Sequence, residues 1–187
     1  METIKEVFQE TEIRMKKVIE KTKKDFGTLR TGRANPGILD RVMVECYGSQ
    51  MPINQVANIS APEPRMIVVQ PWDKTILNDV EKAILKADLG LNPSNDGSII
   101  RLSIPQLTEE RRKELVKLLK KDAEEKRIAV RNIRRDANDD IKKLEKDGIL
   151  SEDDSKKGLD EIQDITDKYI KEIDQLMSNK EQEIMEV

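Results

Sequence analysis

Residues 105–148 read PQLTEERRKELVKLLKKDAEEKRIAVRNIRRDANDDIKKLEKDG. Leu115, Leu118, Leu119, Val130, Ile133, Ala137, Ile141 and Leu144 recur in this stretch at helical spacing, which places them on one face of an α-helix. Thr108 can cap its start, and Glu109 and Glu110 suit the positive end of the helix dipole. Gly148 is a natural terminator. At ~1.5 Å per residue the rod is about 60 Å long. So long and charged a rod, with one narrow apolar stripe, needs other helices to cover that stripe.

Two further segments supply them. Residues 3–30 carry Ile4, Val7, Phe8, Met15, Val18, Ile19, Phe26 and Leu29 on one face, with Thr11 and Thr22 in the same register. Residues 151–176 open on Ser151-Glu152-Asp153-Asp154, a start resembling a capping box, and continue the stripe through Leu159, Ile162, Ile165, Tyr169, Ile173 and Leu176. Three such helices bury their stripes together as a bundle. Between the first two, the pattern changes: Gly and Pro rise and the period falls to two. Residues 41–47, 65–69 and 98–104 read as strands, residues 75–87 as a short amphipathic helix, and Asn92-Pro93 and Asn95-Asp96-Gly97 as turns. The expected fold class is therefore α+β. A long three-helix bundle of residues 1–30 and 105–187 carries a small inserted α/β domain of residues 31–104. The chain enters the insert near Thr31-Gly32 and leaves near Ser103-Ile104-Pro105, and two adjacent crossings form a natural hinge.

Composition narrows the function. Of 187 residues, 36% are hydrophobic and 38% charged, which suits long striped helices better than one large core. Histidine is absent, so Ser-His and Cys-His nucleophile systems and ordinary zinc sites are excluded. One cysteine, Cys46, allows no internal disulfide and reads as a buried filler of its strand; Trp72 carries no functional assignment. The N-terminal residues show no signal peptide, and nothing approaches a membrane span of ~20 apolar residues, so a cytoplasmic protein without membrane contact is expected.

The net charge of -3 is unevenly spread. Residues 105–146 hold 14 basic and 10 acidic side chains, whereas residues 147–187 hold 5 and 13. Screening over a Debye length of roughly 8 Å lets a local basic patch bind a polyanion on an acidic molecule. The patch is Arg127, Arg131, Arg134 and Arg135, at the end of a basic run that starts at Arg111 and Arg112. At ~100° per residue, the last three of the four fall within about 80° of Arg127, beside the core stripe and outward. A solvated face with ion pairs is the ordinary reading of a charge run. Against it, Arg displaces Lys here, and position i+4 from Arg127 and from Arg131 holds another arginine rather than an acid. Guanidinium forks suit phosphate oxygens, so the residues by themselves indicate a polyanion binder.

Five blocks carry a resemblance: Leu29-Arg30-Thr31-Gly32-Arg33-Ala34-Asn35-Pro36; Glu81-Lys82-Ala83-Ile84; Asp88-Leu89-Gly90-Leu91-Asn92-Pro93; Pro105-Gln106-Leu107-Thr108-Glu109-Glu110-Arg111-Arg112; and residues 129–138, AVRNIRRDAN. In this order, over essentially the whole chain, they resemble the bacterial ribosome recycling factor family. The resemblance implies an L-shaped molecule like tRNA, a three-helix bundle with an inserted β/α/β domain on a flexible hinge. It implies binding to the post-termination ribosome, with the bundle on large-subunit ribosomal RNA, and subunit splitting driven by elongation factor G with GTP. Arg127, Arg131, Arg134 and Arg135 match the family's RNA-contacting arginines. Arg30, Thr31, Gly32, Ser103, Ile104 and Pro105 match its hinge. The chain departs from the family at Val69-Gln70-Pro71-Trp72-Asp73, so no surface for elongation factor G is assigned.

No catalytic residue, metal or cofactor is expected, and the protein is expected to be a monomer and not an enzyme. Two rivals belong to other classes. A coiled-coil adaptor could dimerise through the heptad-like steps of residues 4–29 and would not bind RNA. A carboxylate enzyme could place a divalent metal on Asp136, Asp139 and Asp140, although a solvated helix offers no concave site.

Overall fold

The computed structural model describes residues 3–186. The chain divides into two compact units, Met1–Arg30 with Glu109–Val187, and Thr31–Thr108.

The first unit is three helices: α1 (Ile4–Gly27), α4 (Glu109–Lys146) and α5 (Glu152–Met185). At about 1.5 Å per residue, the 38 residues of α4 span about 57 Å. The Thr3 side chain caps α1 by accepting from the Glu6 N–H, and Ser151 caps α5 by accepting from the Asp154 N–H. Gly148 ends the turn after α4 at φ 74°, a left-handed conformation that costs glycine nothing. Each helix packs on the other two. Their shared core includes Val7, Met15, Leu119, Ile141, Ile162 and Ile173, all with no exposed surface. Most of the stripe of α1 is thus buried inside its own unit, at Val7, Thr11, Met15, Ile19, Thr22 and Phe26. One expected core position differs: Leu118 is 50% exposed, because Leu119 already takes the inward place on that turn.

Gly158, inside α5, is a feature the periodicity did not reveal. A Cβ there would stand 2.5 Å from Cδ1 of Ile4 and 3.4 Å from Cδ1 of Ile141. The glycine costs the helix about 1 kcal/mol in propensity but lets Ile4 and Ile141 close over it.

The second unit holds a two-stranded hairpin, β1 (Met43–Cys46) and β2 (Ser49–Pro52), and an antiparallel four-stranded sheet in the order β3-β4-β6-β5. The strands of that sheet are β3 (Ala57–Glu63), β4 (Met66–Pro71), β5 (Pro93–Asn95) and β6 (Ile100–Ser103). Helix α3 (Leu77–Lys86) covers β1 and β5, and a single helical turn, α2 (Ile53–Val56), links β2 to β3. Alternation puts Val44 and Cys46, Ile67 and Val69, and Ile100 and Leu102 into one core. Three strands were not expected. β2 and β5 are short and their burial does not alternate, while β3, at the sheet edge, alternates only over residues 57–60 before its outer half is exposed throughout. Pro93 opens β5 on the sheet edge, where proline removes no ladder bond that matters, although it had read as part of a turn.

Candidate nucleic-acid interface

α4 carries its basic residues on several faces, and the fold treats them differently. Taking Arg127 as zero and about 100° per residue, Arg112 lies about 60° away on the core side, and Arg111 about 160° away. Neither joins the stripe. The Arg112 Nε is buried without a hydrogen-bond partner among the described residues, and the Arg111 guanidinium pairs with Glu114 at 3.0 Å.

Arg127 corrects the expectation of an outward stripe. Its side chain is only 17% exposed. It donates to Asp174 of α5 at 2.7 Å and to Glu124 at 3.0 Å, and its other edge lies against the Met177 sulfur. Burial alone would lower its pKa, but the hydrogen bonds it donates to Asp174 and Glu124 outweigh that and hold it above the ordinary range. Arg127 is therefore a strut between α4 and α5. Looking only at position i+4 missed both acids: Glu124 stands at i-3, and Asp174 lies on another helix.

Beyond Arg127 the guanidinium groups open to solvent. Arg131 donates to the other oxygen of Glu124 at 3.2 Å and is 39% exposed. Arg134 donates to Oε1 of Gln163 at 3.2 Å, a neutral acceptor. That amide is oriented by its own Nε2, which donates to Asp167 at 2.8 Å. Arg135 is exposed, with no ion-pair partner among the described residues. Available positive charge thus rises along the helix from Arg127 to Arg135.

The turn just before is closed. Lys126 is buried at 8% exposure, with Nζ 2.6 Å from Asp25 of α1 and 3.2 Å from Asp122. Burial pulls the Lys126 pKa down, but the bonds to Asp25 and then Asp122 more than restore it. The hydrogen bond from Lys126 in turn holds the Asp25 carboxyl below its ordinary value. The helical register of α4 places Lys126 on the core face, about 100° from Arg127 and between Ile133 and Ala137; what the local pattern did not show was its partner on α1, an acid 101 positions away in the sequence. Asp136, one of the carboxylates of the rival metal reading, is occupied by Arg14 of α1 at 2.8 Å.

All the crossing residues but Arg30 belong to the second unit. Ser103 pairs with Met66 as the last residue of β6, and the Ile104 N–H donates to the Arg65 carbonyl at 2.8 Å. On the entering strand, the Ala34 N–H donates to the Pro64 carbonyl at 2.7 Å. Gly32 has φ 77°, and a Cβ there would sit 3.2 Å from Cγ of Leu107. Thr31 is buried, and Arg30 is the last residue of the first unit on this side. The second unit extends on this side to Thr108, past Pro105.

No described helix is long and apolar enough to cross a membrane. Residues 22–185 match the family described as ribosome recycling factor. The ribosome-recycling factor of Syntrophomonas wolfei is 62% identical over 98% of this chain and 100% of its own length. That of Carboxydothermus hydrogenoformans is 59% identical over the same shares. A solution structure of the ribosome recycling factor superposes with a TM-score of 0.78 at 46% identity, covering 100% of both chains. A second, at 52% identity and a TM-score of 0.65, covers 98% of this chain and 100% of its own; it is described as models for the T. thermophilus ribosome recycling factor and the E. coli elongation factor G bound to the E. coli post-termination complex. With a rod whose open arginines follow a closed, acid-paired turn, and relatives alike along their full length, the chain belongs to the ribosome recycling factor family.

Proposed function

We propose that this protein binds the post-termination ribosome through the α4 face of Arg131, Arg134 and Arg135, laid on large-subunit ribosomal RNA, and with elongation factor G and GTP splits the subunits and releases the mRNA. The observation that carries the RNA contact is the pairing of Arg134 with a neutral amide while Arg135 has no acid on it. Phosphate oxygens can take these guanidinium forks without displacing a carboxylate. A relative described in models with elongation factor G, bound to a post-termination complex, supports the choice of partner. Arg127 keeps a supporting role, as the strut that fixes α4 on α5.

The work is mechanical, without catalytic group or cofactor, and belongs to the cytoplasm where ribosomes are. A monomer suffices, because the helix stripes are used within the bundle. Since Ser103 and Ile104 are held by the sheet and Ala34 by Pro64, the pivot falls at Arg30–Thr31 and Thr108–Glu109, outside those bonds. The decisive assay is conversion of stalled polysomes to free particles by the purified protein with elongation factor G and GTP. Breakdown is expected; polysomes that persist under those conditions overturn the reading.

A further inference from the structure

Glu124 divides its two carboxylate oxygens between two arginines. Oε2 lies 3.0 Å from Nη1 of Arg127, and Oε1 lies 3.2 Å from Nη1 of Arg131. The two arms differ in their surroundings. Arg127 is 17% exposed and also held by Asp174, whereas Arg131 is 39% exposed and has no second acid among the described residues. Glu124 itself is half exposed, at 51%. We propose that Glu124 is an intramolecular anion that competes with RNA phosphate for Arg131, and so limits the grip at this end of the arginine face. This rests on the reading that the face binds ribosomal RNA.

The physical case is one of exchange. Glu124 engages only Nη1 of Arg131, so phosphate can reach the other N–H groups with Glu124 in place, but it gains the Nη1 donor, and with it the full fork, only by displacing Oε1 of Glu124. That displacement strands no charge, because Glu124 keeps Arg127 through Oε2 and turns its freed oxygen to water. One charge-assisted bond replaces another, so the net gain from engaging Arg131 is smaller than an unpaired arginine would give. Arg134 faces no such competition, since its partner is the neutral Gln163. The hydrogen bond from Arg127, and after it that from Arg131, hold the Glu124 carboxyl below its ordinary value against the opposing effect of burial, so the competitor is charged at neutral pH.

The test is the Kd of the full chain for vacant bacterial ribosomes, measured by sedimentation across a salt series. E124Q removes the competing charge and keeps the shape and an acceptor for Arg127. It is expected to bind roughly two- to fivefold tighter, the scale of one exposed ion pair. Its affinity should also fall more steeply with salt, by about 0.7–0.9 in the logarithmic slope if one more phosphate is engaged. In an R131A background the gain should vanish. E125Q, an exposed acid on another side of α4, makes the same change in net charge and should leave Kd near the wild-type value. Binding by E124Q no tighter than wild type overturns the proposal. So does a gain that survives R131A or is matched by E125Q, which would be a bulk charge effect. If R131A and R134E both bind like wild type, the RNA reading itself fails and takes this inference with it. If they weaken binding while E124Q does not tighten it, the inference alone falls.

Discussion

Two neighbouring stretches of α4 share composition and differ in fate. Lys126 and Arg127 are drawn inward, one to Asp25 of α1 and the other to Asp174 of α5. Arg134 and Arg135, two turns on, meet a neutral amide and solvent. Both pairs are basic, on one helix, with like charges crowded beside them. Register begins the difference, since Lys126 falls on the core face of α4, and what the packed helices bring opposite each position completes it. A buried cation requires a partner, and acids supplied by α1 and α5 turn the first pair into tertiary struts. Where those helices offer only Gln163, the charge remains available to an outside anion. A basic run is therefore not one feature but several, sorted by its neighbours in space.

The comparison predicts that the two stretches respond to mutation in different assays. The largest effect belongs to the open stretch. Arg134→Glu should weaken ribosome pelleting by at least about tenfold, the value of losing one charged hydrogen bond of roughly 1.5–3 kcal/mol, while the unfolding curve stays at wild type. Undiminished pelleting would break the comparison. In the closed stretch, Lys126→Met should lower the stability of the bundle by about 1–3 kcal/mol in urea unfolding, because Asp25 and Asp122 lose their partner. Ribosome affinity per folded molecule should hold; a binding loss as large as that of Arg134→Glu, at unchanged stability, would show that burial does not separate the two roles.

Tyr169 sharpens the same rule from inside the bundle. Its ring is 2% exposed, and its hydroxyl has no hydrogen-bond partner among the described residues. Burial, and then the charges of Glu12 and Glu172, push its pKa up, so it stays neutral. Tyr169→Phe removes an unsatisfied polar group at no cost in shape, and a gain of about 1 kcal/mol in urea unfolding is expected. A loss would mean that the hydroxyl is satisfied in solution.

The smallest effect lies in the inserted unit, where the turn at Asp96 holds itself together without another element. The Asp96 carboxylate accepts from the Ile99 and Ser98 N–H groups and from Arg101, which hold its pKa down from 3.8 to about 2. A depressed folded-state pKa means that this stabilisation is present above 3.8 and is lost as pH falls toward about 2. Asp96→Ala should therefore lower Tm slightly at neutral pH, and its difference from wild type should close across that acid window. A difference that is independent of pH would assign the loss to backbone conformation rather than to the carboxylate.

Much of the fold could be read along the chain because its determinants are local. The stripes of α1, α4 and α5, the Ser151 cap and the turn at Gly148 each depend on residues within a few positions. The same holds for β1, β4 and β6, whose alternation reports a half-buried sheet. β2, β3 and β5 escaped because edge strands owe their extended form to a neighbour's ladder, not to their own pattern. The β1–β2 hairpin hid for a further reason: its turn is Tyr47-Gly48, with both residues at positive φ, and tyrosine is not the asparagine or aspartate that advertises such a turn.

The arginine site divides along the same line. By itself the sequence determined that a histidine-free chain carries arginines beside the apolar stripe of a long helix, and its motifs indicated the family. Only the tertiary structure decided that Arg127 is a strut, and that Arg131 is shared with Glu124 while Arg134 and Arg135 stay open. The physical reason is range. Helical register is set by neighbours three and four positions away, whereas the partner that neutralises a charge can come from any element that packing brings within hydrogen-bonding distance.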